Sequence, residues 1–282
     1  MDEPATPALH LDRCLIPDRT ELQEHMLVTD RAILVGDRSR IDYGLSGAEI
    51  VIAEFCRING TVTATGDIRI DHWTEVAGNV TTGEDAYLGE GVKIAGRLSV
   101  AGDLDIGDNV QIAQGFEARG WIQIRNPLPV FIYLMLYLMA VLRFEREDEV
   151  ERFMAEVLGG EEEPVEQPLV LPTGAVLDME RLEVPGEMTI GSFCRLHGNV
   201  RAQSVEIGTA TTLFGSVRAS DRIAIGPGTV VHGTVACDGT IAVAAGARVL
   251  GDLDGRTIEI HERALVEGTM RAPGGLRIVR DA

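Results

Sequence analysis

Six histidines and four cysteines are the residues of this 282-residue chain best suited to proton transfer, nucleophilic attack or metal binding. A general base needs an imidazole titrating near neutrality and held against its substrate. The candidates are His72, His197, His232 and His261. His197 and His232 share one slot, each directly before a glycine (Gly198, Gly233). That slot reads as a solvent-facing corner, and no carboxylate–histidine pairing stands out. No Ser-His-Asp order appears, and GEGVKI and GPGTVV lack the following helix that would give a glycine loop its anion site. The cysteines (Cys14, Cys56, Cys194, Cys237) form no CxxC pair, so neither zinc nor a disulfide framework is expected. The residues point to no catalytic centre, no metal and no cofactor.

The elements that would hold these residues explain their spacing. FCRING at 55–60 returns as FCRLHG at 193–198, and IAEFCRINGTV lies over IGSFCRLHGNV, apolar on apolar. Glycines recur every 16 to 18 residues, at Gly44, Gly60, Gly78 and Gly96, and again at Gly198, Gly215, Gly233, Gly251 and Gly268. Between them apolar residues come in pairs: Val92/Ile94, Leu98/Val100, Leu104/Ile106, Val110/Ile112. Members of a pair are two apart, on one side of an extended strand. The gaps hold Gly, Asp and Asn, which tolerate the positive φ of a corner. Three short strands and three corners close a coil of about 18 residues whose rungs stack at roughly 4.8 Å. The reading is an all-β protein, a β-solenoid. Cys56, Cys194 and Cys237 take inward positions as small buried hydrophobes.

Residues 126–163 interrupt the beat with Pro127, Pro129 and thirteen uncharged residues from Val130 to Leu142. Val150, Phe153, Met154, Val157 and Leu158 follow at helical spacing, and Gly159-Gly160 ends them. The expected organisation is a flexible tail (1–30), a first solenoid (31–125), a helical insert (126–163) and a second solenoid (164–282). Coaxial and side-by-side packing of the two solenoids both fit. A helix of thirteen residues spans about 20 Å, short of a bilayer's roughly 30 Å. The insert therefore reads as a contact element, lying on a solenoid face, pairing with a second molecule, or touching a membrane surface or another cytoskeletal protein through 127–158. Its contact residues are Phe131, Tyr133, Leu134, Tyr137, Leu138 and Phe153.

The formal charge of −19 argues against nucleic acid and anionic membrane surfaces as partners. The acidic opening MDEPATPALHLD lacks a signal-peptide pattern, which gives a cytoplasmic expectation. APGGLRIVRDA keeps the coil rhythm almost to the last residue, so the final rung is expected to be a sticky end built on Met270, Leu276 and Ile278.

GNVRAQSVEIG, GSVRASDRIAIG and GTVACDGTIAVAAGARVLGDL resemble the bactofilins, a polymer-forming cytoskeletal family, over roughly 33–125 and 169–280. That resemblance implies a right-handed β-helix that associates end to end, without nucleotide, into cytoplasmic filaments or scaffolds. It supplies no catalytic residues. Two solenoids around an insert look more like the tandem bactofilin-related proteins of archaea. LGEGVKIAG and IGPGTVVHG also resemble coils of the hexapeptide-repeat acyltransferases, which use a histidine base at a coil edge. An acyl or nucleotidyl transferase is thus one alternative function. An adaptor working through the insert is the other.

Overall fold

A computed structural model describes residues 13–23, 25–124 and 168–280. Among these residues there are strands and turns and no helix. The paired apolar residues behave as their spacing requires: Leu98 and Val100, or Ile68 and Ile70, point inward and are buried, with Ser99 and Arg69 between them pointing out. Away from the middle and the ends of the stack, each strand pairs in parallel with the strand one rung on, as Ile68–Ile70 does with Ala86–Leu88. The three-faced coil follows. The helical insert at 126–163, with Phe131, Tyr133, Leu134, Tyr137, Leu138 and Phe153, lies outside the described residues.

In place of two separate solenoids, the structure has one stack. One face is a 12-stranded sheet, so the described residues build twelve rungs, about 55 Å along the axis. The first half (26–124) and the second half (181–279) meet at their N-terminal ends, where strand direction reverses. The three faces cross this seam through three antiparallel contacts: Leu15 opposite Val170, Leu22 opposite Leu27, and Leu177 opposite Leu182. The halves are also interlaced. Leu169–Leu171 runs parallel to Ile33–Val35 and forms a rung of the first half. Arg13–Ile16 runs parallel to Glu187–Ile190 and forms a rung of the second.

The reading of 1–30 as a flexible tail therefore fails over 13–23 and 25–28, which are strand and turn. Cys14, Ile16, Leu22 and Leu27 are buried in the seam, against Leu171 and Leu177. The reason is physical: without Arg13–Leu22 the first rung of the second half would leave its strand edge and inner side chains in water. The Asp178 side chain ties the turn of one seam hairpin, accepting the N–H groups of Glu180 and Arg181 and the Arg181 guanidinium. Burial pulls its carboxyl up, but these donors outweigh burial and hold it below the usual carboxylate range.

The repeated FCR motif marks one corner. Phe55 and Phe193 both sit at φ 57, in a column with Arg38, Trp73, Gly91 and Asn109 in one half and Arg19, Ala210, Gly228 and Gly246 in the other, all at positive φ. The phenyl rings point to solvent, and the cysteine that follows points in. The Thr74 hydroxyl accepts the Cys56 N–H and donates to Ala53 O; Thr211 does the same for Cys194 N–H and Gly191 O. These buried hydroxyls satisfy the corner backbone that no ladder bond reaches.

Among the periodic glycines Gly198 takes the expected positive φ, at 105, but the other eight serve a different purpose. A Cβ on Gly78 would stand 2.5 Å from the Gly60 carbonyl oxygen, and its φ is not in the left-handed region. The corner brings successive rungs too close for any side chain. Gly78→Ala should cost about 1–3 kcal/mol in urea unfolding, the usual penalty of overpacking. Gly66→Ala, whose Cβ would meet its nearest atom at 3.2 Å, should stay within about 1 kcal/mol.

Candidate self-association site

Because the halves meet at their beginnings, both outer ends of the stack are final rungs. At one, Leu276, Ile278 and Met270 lie one rung beyond Ile258, Ile260 and Leu253, continuing the buried inner column with nothing above it among the described residues. Ile278 is 61% exposed, and Leu265, Leu276 and Val279 are exposed beside it. The structure thus brings together the three residues expected to form a sticky end. At the other, Phe116 and Ile122 continue the column of Leu98 and Leu104 and are also exposed. Sequence reasoning misses this second apolar end, because residues 126–163 follow it directly and draw attention to themselves. The signal is present: Phe116/Ala118 and Ile122/Ile124 keep full coil rhythm up to the break.

Each end also carries strand edges. The N–H and C=O groups that pair with the next rung inside the stack have no next rung here among the described residues. An end therefore offers directional backbone bonds around an apolar centre. A second such end fits it chemically, because the rungs inside the stack already join that way.

The histidines do packing work. Phe214 is stacked between His197 and His232, with ring centroids at 4.5 and 4.4 Å, and Arg195 lies over the same ring. The shared slot of His197 and His232 is thus a three-rung ladder through Phe214. His72 departs from expectation, since its Nδ1 meets Glu54 Oε1 at 3.1 Å one rung below. This carboxylate–histidine pair is hidden in the sequence by its 18-residue separation. It sits half-exposed on a corner, between the Phe55 and Trp73 turns, with no nucleophile in contact. His261 is buried, and its Nδ1 accepts the Arg263 N–H. Among the described residues no three His, Cys, Asp or Glu side chains are grouped to hold a metal ion.

All four cysteines are free and buried. Burial pushes the thiols of Cys14 and Cys56 up to about 12 and that of Cys194 to about 11, and raises Cys237 as well. The Cys56 and Cys194 thiols donate to Gly36 O and Pro17 O. At pH 8 iodoacetamide should modify the native protein about 100-fold or more slowly than the urea-unfolded chain. Rapid labelling of one thiol in the native protein would contradict this placement.

A three-faced β-solenoid whose apolar end rungs are exposed among the described residues is the class that the fold and these surfaces define. Residues 177–271 match the family described as Bactofilin, polymer-forming cytoskeletal, and that stretch is a bactofilin domain. The match covers about a third of the chain and falls in the second half. No curated protein and no solved structure matches the sequence.

Proposed function

We propose that this protein is a non-enzymatic structural protein that associates with itself through the ends of its solenoid, building a filament or scaffold in the cytoplasm. The observation that carries the reading is the pair of terminal rungs, uncapped among the described residues, with Phe116 and Ile122 at one end and Met270, Leu276 and Ile278 at the other. The family match over 177–271 supports it, because that family is described as polymer-forming.

The first half extends the same reading. We take the halves as tandem copies of one unit, on the likeness of LIPDRTEL (15–22) to VLPTGAVL (170–177) and of the two seam hairpins built around them. Both ends of the molecule are then versions of one surface. Sedimentation velocity over a wide concentration range should show species that grow with concentration. A single species of one chain's mass throughout would end the proposal.

A further inference from the structure

Several exposed cations of this acidic molecule meet a carboxylate one rung away. Arg57 and Lys93 both reach Glu75, Arg248 reaches Glu267, and Arg277 reaches Glu259. Arg201 and Arg218 do not. They are register partners on adjacent rungs, roughly 4.8 Å apart along the stack, and both are exposed. Beyond Arg218 the column continues with Ala236. Before Arg201 stands Glu183, whose carboxylate is held by Arg181 at 3.0 Å. Among the described residues neither guanidinium of the pair has an ion-pair or hydrogen-bond partner. Like charges set side by side on a ladder repel, and a chain of net charge −19 leaves these two uncompensated.

The two arginines line a cleft of about 620 Å³ on the second half, together with Asn199, Ser216 and Thr234. The Asn199 carbonyl oxygen accepts the Ser216 N–H, and the Ser216 hydroxyl oxygen accepts the Thr234 N–H. That leaves the Asn199 NH2 group and both hydroxyl protons as donors. Two carboxylates also line the cleft. Asp178 is engaged by the N–H groups of Glu180 and Arg181 and by the Arg181 guanidinium. Glu180 is then the single uncommitted carboxylate, against two uncommitted guanidinium groups. A second cleft of about 670 Å³ shares the arginines, but Glu183, Asp221 and Asp238 line it. The first cleft, rich in donors and in uncompensated positive charge, selects an anion. A tetrahedral oxyanion carrying two charges matches two guanidinium groups one rung apart, since each can bond two of its oxygens. The cleft's volume is in the range that small-molecule ligands fill.

We propose that Arg201 and Arg218 form a binding site for a phosphate-type oxyanion, free phosphate or a small phosphomonoester, with Asn199, Ser216 and Thr234 as further donors. This binding goes beyond end-to-end association and is read on single chains, so either can fail without the other. Phosphorus-31 NMR titrations of the full-length protein measure it, at a dilution where sedimentation finds one chain per particle. The probes are inorganic phosphate and glucose 6-phosphate at pH 8, where a phosphomonoester is a dianion, with ionic strength held constant by sodium chloride. Line broadening should saturate at one equivalent. Arg201→Gln with Arg218→Gln should weaken binding at least tenfold and leave the urea midpoint unchanged or raised, because two exposed cations that repel are gone. Arg222→Gln, at an exposed arginine outside the cleft, should change binding less than twofold. Tighter binding of glucose 6-phosphate identifies a phosphomonoester as the ligand, and equal or weaker binding identifies free phosphate; both agree with the site. Broadening that never saturates, binding untouched by the double variant, or an equal loss in Arg222→Gln overturns the proposal.

Discussion

Deleting residues 1–23 should destabilise the protein by at least about 4 kcal/mol. Ile16 and Leu22 are almost fully buried, and removing a fully buried aliphatic side chain from the core forfeits about 1.5–3 kcal/mol. The backbone loss adds to this. Glu187–Ile190 would lose its parallel partner, and Arg195 its bond to Thr20. The Cys194 thiol would lose Pro17 O, and the Ser192 N–H would lose Asp18. Against a typical domain stability of about 5–15 kcal/mol the loss is large. Urea unfolding followed by circular dichroism reads it. A truncated protein with an unchanged midpoint would mean that the N-terminal strands are an ornament and that the seam closes without them.

Ile278→Asp should block assembly at one end and leave the single molecule's stability within about 0.5 kcal/mol, because the side chain is already in water. Inside an end-to-end joint the same carboxylate would be buried without a partner, at a cost of several kcal/mol. That corresponds to at least about a hundredfold weakening of the joint. If unlike ends join, the variant sediments as single chains. If like ends join, it stops at pairs, and adding Ile122→Asp at the other end reduces these to single chains. Continued growth of either variant would show that association runs through a side of the stack.

Much of the rung is legible in the amino-acid sequence. Two-then-four spacing of apolar residues has one extended-chain solution, and Ile68/Ile70, Leu98/Val100 and Ile241/Val243 all point inward as it demands. The end residues Met270, Leu276 and Ile278 follow from the same count. The seam is harder. The coil pattern sets Leu169 and Leu171 beside Ile33 and Val35, which are their hydrogen-bonded partners and not their equivalents. Under the tandem arrangement proposed above the equivalents are Cys14 and Ile16, in a stretch whose Pro, Asp and Arg disguise it as a tail. Antiparallel closure needs hairpins, which break the coil period just where the halves join. Glu54 and His72 are hidden for a related reason: contacts in a solenoid fall near 18 residues, outside any local pattern.

Cryo-electron microscopy of the purified full-length protein across a concentration series tests the central claim most directly. The account expects unbranched rods one solenoid wide, growing in steps of about 55 Å, the length of twelve stacked rungs. Single particles of that length at every concentration, or two short solenoids lying side by side, would contradict it.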